Sequence, residues 1–157
     1  MTRRDIEPTP RPGPDHERLD VLVGRWRTEG LIIEGPSGAT SRLTAVDTYE
    51  WLPGRFFLVH HAAGHMGDEE VRSIEIIGVD ASSGGYRTHS FDNHGNAATY
   101  TASLLGRVWR IEGATERFAG EFADDGGTLT GRWERSTDGV HWQPWMEITL
   151  TRAAPAV

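Results

Sequence analysis

The sequence contains no cysteine. Disulfide scaffolds, thiolate metal sites and cysteine nucleophiles are therefore excluded. Long apolar runs are also missing, because no uninterrupted stretch approaches the ~18 residues that suggest a membrane-spanning helix. The N-terminal segment likewise lacks the apolar core of a signal peptide. These absences predict a cytoplasmic protein without a membrane span.

Basic residues are outnumbered, with 16 Lys and Arg against 23 Asp and Glu and a formal net charge of −7. A nucleic-acid-binding protein needs a basic stripe that displaces phosphate counterions, and none is visible. A Lys/Arg-rich amphipathic helix that would attach to an anionic membrane is also absent. We therefore expect a partner that is small and uncharged or cationic, and the sequence leaves a homodimer open.

The remaining composition is that of one globular domain, with 157 residues of which 37% are hydrophobic and 25% charged. Residues 1–14 are rich in proline and charge, so we predict a disordered tail followed by a single domain over residues 15–153. A short amphipathic helix is predicted from His16 to Val23, since Leu19 and Leu22 fall on one face. Gly24 would end that helix.

After Trp26 the hydrophobic pattern has a period of two, which indicates β-strands. Short polar or glycine-bearing turns separate the segments and permit only antiparallel neighbours. Ten strand-like segments can be marked: 26–35, 41–52, 55–65, 70–80, 85–92, 96–105, 107–113, 116–123, 127–136 and 141–152. A sheet this long avoids two exposed edges by closing. The predicted fold is an all-β, antiparallel up-and-down barrel of about ten strands with one short N-terminal helix.

The first and last strands carry a motif that resembles the calycin superfamily, which includes lipocalins and fatty-acid-binding proteins. Gly24-Arg25-Trp26 opens the first strand, and Arg152 ends the last one. The resemblance implies that Gly24, Trp26 and Arg152 close the barrel floor, with the basic residue covering the indole ring. A guanidinium over an indole is worth about 1 kcal/mol.

Three further segments are similar to an uncharacterised bacterial family of lipocalin-like barrels named only as a domain of unknown function. They run over residues 51–60, 74–80 and 131–134. The layout also resembles the nitrobindins, ten-stranded barrels that bind haem through a histidine on the last strand. Here the corresponding stretch, residues 144–148, contains no histidine, and His141 lies earlier, near the turn. Haem binding is therefore kept as an alternative function, although the histidine expected to ligate the iron is missing from the last strand.

The histidines at positions 60, 61 and 65 do not predict a metal site. On a strand, His61 and His65 lie ~13 Å apart at ~3.3 Å per residue, and His60 points to the opposite face. One ion cannot contact all three. We therefore predict no metal ligands.

Folding the central hairpins suggests a polar row across three strands. A turn about Gly67-Asp68 places His61 opposite Glu75, and a turn near Ser82 places Glu75 opposite His89. Such a row, with a carboxylate between two imidazoles, could anchor the polar end of a ligand or perform acid–base chemistry. A half-residue shift of the second turn would instead expel Glu75 from the interior.

The leading functional hypothesis is the binding or carriage of a small, largely apolar ligand in the barrel lumen. The predicted ligand-binding residues are Phe57, His61, Glu75, His89, Tyr100, Trp109, Trp133 and Met146. The alternatives are a haem-binding protein similar to nitrobindins and a cofactor-free isomerase, cyclase or hydrolase that uses His61, Glu75 and His89 as catalytic residues. Small inward residues, among them Ala98, Gly120 and Gly131, could leave a cavity or simply interdigitate with aromatic side chains.

Overall fold

The computed structural model describes residues 8–154. The first part of the predicted tail, residues 1–7, lies outside the described residues. The strands in chain order are β1 (Gly24–Glu34), β2 (Ala39–Trp51), β3 (Phe57–Met66), β4 (Glu69–Asp80), β5 (Gly85–Asp92), β6 (Ala97–Leu105), β7 (Val108–Glu112), β8 (Glu116–Phe122), β9 (Thr128–Arg135) and β10 (Gln143–Arg152). Each strand pairs with the next, and β1 also pairs with β10, so the sheet forms a closed antiparallel barrel. The predicted fold class is confirmed.

One end of the barrel is sealed by residues 14–23, the segment before β1, which we call the plug. An α-helix, α1 (Pro14–Arg18), leads into a 3-10 turn over Leu19–Leu22. The helix thus begins earlier than predicted, because Pro14 suits the first helical position, and the apolar residues lie in the tighter turn. Leu19 and Leu22 are almost fully buried against the barrel interior. Neither of the two described helices is long and apolar enough to cross a membrane.

Side-chain bonds attach this segment to the strands. The hydroxyl of Tyr86 donates to the carbonyl of Asp15 over 2.8 Å, and the guanidinium of Arg18 donates to the carbonyl of Leu104. The indole of Trp26 donates to the carbonyl of Leu22 over 2.8 Å. The first two bonds join this segment to β5 and β6, and the third satisfies the carbonyl of Leu22 at the end of the 3-10 turn.

At the same end, the guanidinium of Arg152 lies 4.1 Å from the centre of the Trp26 ring. Arg152 also donates to the carbonyls of Val21 and Val23, the former over 2.8 Å. Gly24 has a φ of +129°, and a Cβ there would lie 2.7 Å from Nη1 of Arg152. Only glycine accommodates both this backbone conformation and the approach of the guanidinium.

The barrel interior is divided into a packed half and an open half. Near the plug, the core contains Trp26, Leu58, Ile77, Tyr86, Leu104, Phe122 and Leu150. Further along, the ring of Phe118 occupies the space over Gly120 and Gly131, where a Cβ would lie 2.6 Å from its Cζ. At these two glycines, therefore, small and large residues interdigitate and leave no cavity.

Phe57, which was predicted to line the lumen, lies on the outside of the barrel, as does Phe91. Phe57 is 48% exposed and Phe91 is 49% exposed. In the pairing of β3 with β4, Phe57 lies opposite Gly78, one position away from the inward pair Leu58 and Ile77. Because faces alternate with a period of two, a one-residue difference in register transfers a side chain to the other face.

The bonds of Arg152 predict a large effect of removing its charge. We expect Arg152→Met to lower the free energy of unfolding by about 2–4 kcal/mol, because the cation–π contact is lost and the carbonyls of the plug lose their donors. Arg132→Met is the matched control, since Arg132 is exposed on the outer face and bonds Glu147. Its expected cost is under about 1 kcal/mol. Urea unfolding measures both, and equal costs would contradict the closing role of Arg152.

Candidate functional site

The half of the barrel away from the plug contains a cavity of about 930 Å³. Its lining extends from Leu150 and Leu129 near the packed core to Glu34, Met66 and Ala97 at the strand ends of the opposite rim. The cavity is therefore closed by the plug and the core at one end and open to solvent at the other. A concave site of this size can enclose most of a small organic molecule.

A charged cluster stands on the cavity wall formed by β2, β3 and β4. Nε2 of His60 lies 2.6 Å from Oδ1 of Asp47, and Nδ1 of His60 lies 3.0 Å from Oε1 of Glu75. The hydroxyl of Thr28 donates to the second oxygen of Asp47. Each of the three charged side chains is no more than 14% exposed. We call Asp47, His60 and Glu75 the carboxylate–imidazole cluster.

Strand register assembles this cluster. His60 lies directly opposite Glu75 in the β3–β4 pairing and directly opposite Tyr49 in the β2–β3 pairing. The Tyr49 ring stacks on the imidazole at 4.0 Å between ring centres and at 7° between planes. Asp47 is two residues before Tyr49 on β2 and shares its inward face, so it reaches His60 diagonally.

The cluster holds His60 as a cation at neutral pH. Burial opposes the charge, but the hydrogen bonds to Asp47 and Glu75 and the attraction of both carboxylates outweigh it and raise the pKa of His60 to about 9. For Tyr49, burial and then the same two carboxylates raise the pKa well above its usual value, so the phenol stays neutral. Both ring nitrogens of His60 therefore carry protons that are already donated.

The opposite wall is aromatic and is centred on Trp133. Its ring packs against Phe118 at 5.4 Å, Trp145 at 6.2 Å and Tyr100 at 6.4 Å between centres. All three contacts are tilted or edge-on, as the quadrupoles of aromatic rings favour. Trp109 and Met146 also line the cavity. This wall supplies the apolar contact area of the site.

A second polar group stands beside the aromatic wall. The hydroxyl of Tyr100 donates to Oε2 of Glu116 over 2.9 Å, and the guanidinium of Arg135 lies 3.8 Å from Oε1 of Glu116. Arg135 also stacks over Trp145, with its Cζ 3.3 Å from the ring centre. Burial and then the charge of Glu116 raise the pKa of Tyr100. Burial lowers the pKa of Arg135.

Five of the residues predicted to bind ligand line the cavity, and three do not. Those that line it are Glu75, Tyr100, Trp109, Trp133 and Met146. Phe57, His61 and His89 are exposed on the outer face. The predicted row of His61, Glu75 and His89 is thus wrong as a cluster, because Glu75 pairs with His60 on one side and Ser90 on the other. The turn between β3 and β4 and the turn between β4 and β5 are each centred half a residue away from the predicted position.

Several lumen residues were missing from the sequence-based prediction. They are Asp47, Tyr49, His60, Glu116, Arg135 and Trp145. For His60 a usable signal existed, since it alternates with Leu58 and Ala62 on the mainly apolar face of β3. Trp145 carried no such signal, because the pairing of β10 with β9 is irregular between Pro144 and Met146.

The inner wall of the lumen supplies no histidine that is free to bind haem iron among residues 8–154. Both ring nitrogens of His60 are bonded to carboxylates, and the other two histidines of the lining, His65 and His94, lie at the rim. The inward positions of β10 are Met146, Ile148 and Leu150. We therefore derive no chemistry from an iron centre.

The closed ten-stranded barrel, its N-terminal plug and the Trp26–Arg152 contact define a calycin-like barrel, as the sequence predicted. The chain is similar in fold to the crystal structure of Rv2717c from M. tuberculosis, with a TM-score of 0.66 and 14% identity over 90% of this chain and 99% of that one. No curated protein matches the sequence. The model of the family described as "Protein of unknown function (DUF1579)" matches residues 11–119, and the chain belongs to that family.

The raised pKa of His60 predicts a pH-dependent stability. Since the folded pKa is about 9 and the ordinary value 6.5, the cluster contributes fully below about pH 6.5 and loses its contribution as the pH rises through about 9. We expect the free energy of unfolding to fall by roughly 3 kcal/mol over this window. Urea unfolding measures the fall, and imidazole NMR should show both ring N–H groups at neutral pH.

Glu75→Gln is the control for this titration, because it removes one of the two carboxylates and keeps the shape of the side chain. The pKa of His60 should move down in this variant, and the fall in stability should begin at lower pH. A neutral His60 ring at pH 7 in the unmodified protein would contradict the assignment.

Proposed function

We propose that the protein binds and carries a small, largely apolar molecule in the lumen of its barrel. The observation that carries the proposal is the cavity of about 930 Å³, closed at the plug, open at the opposite rim and lined by an aromatic wall that faces a paired charged cluster. Sites for small ligands typically combine such an apolar wall with a few fixed polar groups. The wall supplies affinity, and the polar groups orient the molecule.

The group best placed to bind the polar end of a ligand is the carboxylate of Glu75. In the carboxylate–imidazole cluster, Oδ1 of Asp47 and Oε1 of Glu75 accept from His60, while Oδ2 of Asp47 accepts from Thr28. Oε2 of Glu75 is the carboxylate oxygen that none of these bonds uses, and Glu75 lines the cavity. It can therefore accept a hydrogen bond from a ligand without disrupting the cluster.

The arrangement supports binding better than turnover. The cofactor-free enzyme anticipated from sequence needed His61 and His89 beside Glu75, and both histidines lie outside the lumen. His60, the histidine on the wall beside Glu75, has no free nitrogen to exchange a proton with a ligand. A general acid or base must reach the proton it transfers, whereas an anchor needs only a fixed position.

Blocking the cavity tests this proposal. Ala98 lines the cavity from β6, whereas its neighbour Thr99 points outward and is exposed. We expect Ala98→Trp to abolish, or weaken at least about tenfold, the binding of the neutral fluorescent dye Nile red. Thr99→Trp, the matched control, should bind the dye as the unmodified protein does. Dye fluorescence reports binding, and thermal unfolding confirms that both variants are folded.

Two results would count against carriage. One is an absence of dye binding to the unmodified protein together with no response of its tryptophan emission to neutral steroids or long-chain alcohols. The other is equal dye binding by Ala98→Trp and Thr99→Trp, which would place the dye on the outer surface.

A further inference from the structure

We propose that the lumen selects an amphiphilic cation, that is, an aliphatic or aromatic body that carries a protonated nitrogen. This inference rests on the proposed function and specifies the ligand's chemistry. It follows from how the charges inside the barrel are already paired, and from the kind of wall that faces them.

Both cations that face the inner cavity are occupied. His60 donates its two N–H groups to Asp47 and Glu75. Arg135 is held between Glu116 and the ring of Trp145. A ligand carboxylate would have to displace Asp47 or Glu75 to reach His60, and buried charges separated from their partners are costly. At Arg135, whose side chain is 55% exposed, it would meet the charge of Glu116, 3.8 Å from the guanidinium.

Carboxylates outnumber cations around the whole cavity. The acidic residues in the lining are Glu34, Asp47, Glu69, Glu75, Asp92 and Glu116, and the basic ones are His60, His65, His94 and Arg135. The balance remains negative even when all four basic residues are counted as charged. An anionic ligand is therefore repelled, whereas a cationic one is attracted.

The aromatic wall favours the same charge. The indole face is the strongest partner for a cation among the aromatic side chains, and Trp145 already binds one in this way, namely Arg135. Trp133 lines the cavity beside Trp145, at 6.2 Å between ring centres. A ligand ammonium near this wall can contact Trp133 while Glu116 or Glu75 balances its charge.

Three matched ligands test the inference: phenylbutylamine, phenylbutanol and phenylbutyrate share one apolar body and differ only in the charge of the end group. We expect the amine to bind at least about tenfold more tightly than the alcohol, and the acid to bind least. Isothermal titration calorimetry at neutral pH measures the three affinities. Added salt should weaken the binding of the amine and leave that of the alcohol unchanged.

Variants of the lumen carboxylates test which residues cause the preference for a cationic ligand. Glu116→Gln, and separately Glu75→Gln, should weaken binding of the amine about tenfold while binding of the alcohol stays within about twofold. Glu112→Gln is the control, because Glu112 ends β7 near the same rim but is exposed on the outer face. Using two lumen variants keeps the test valid if one of them fails to fold.

The outcomes separate this inference from the proposed function. Equal affinities for the three ligands, tighter binding of the acid, or binding of the amine that neither lumen variant weakens would overturn the preference for cations and leave carriage intact. An absence of binding by all three ligands and by Nile red would overturn carriage itself.

Discussion

The architecture rests on the pairing of β1 with β10, which closes the barrel and in which Trp26 and Arg152 lie opposite each other. The guanidinium covers the indole ring and donates to the carbonyls of Val21 and Val23 in the segment that seals the barrel end. One side chain thus joins the first strand, the last strand and the plug. Because the sheet closes there, every strand has two hydrogen-bonded neighbours, and no edge is left for another chain. Closure of the sheet also encloses a lumen. Because the plug covers one end, a ligand can enter the lumen from the other end.

The open half of the barrel is lined by more charged side chains than protein interiors usually contain. Two carboxylates and an imidazole share one wall, and a glutamate, a tyrosine and an arginine share another. Burying charges is costly unless each is paired, and a well-packed apolar core of the same volume is often as stable or more stable. Here the pairing is complete for His60, yet the space beside it is open. Paired charges next to an open, aromatic-walled space suit a site that positions a ligand better than they suit a core that only stabilises the fold.

Much of this architecture was predictable from the sequence, and the limits were specific. The period-two pattern and the turn residues predict all ten strands, with bounds that differ from the structure by a few residues. Tyr100, Trp109, Trp133 and Met146 line the lumen where the pattern placed them, and Glu75, whose face the pattern left open, lines it as well. His61, His89 and Phe57 do not, because each assignment required the register of a hairpin, and the two turns around β4 are centred half a residue away from the predicted positions. A slip of one residue is small along the chain, but it exchanges the inner and outer faces of the strand.

The sequence by itself therefore determined the class of fold, the approximate span of each strand and the chemistry of the side chains available to line a lumen. These are properties of local pattern, since alternation, turn residues and composition are readable along one strand at a time. Only the tertiary structure decided that His60, and not His61, lies between Asp47 and Glu75, and that the cations of the lumen are already paired. These facts depend on which residues face one another across strands and around the closed ring. Such contacts are set by register and closure, which involve residues far apart in the chain.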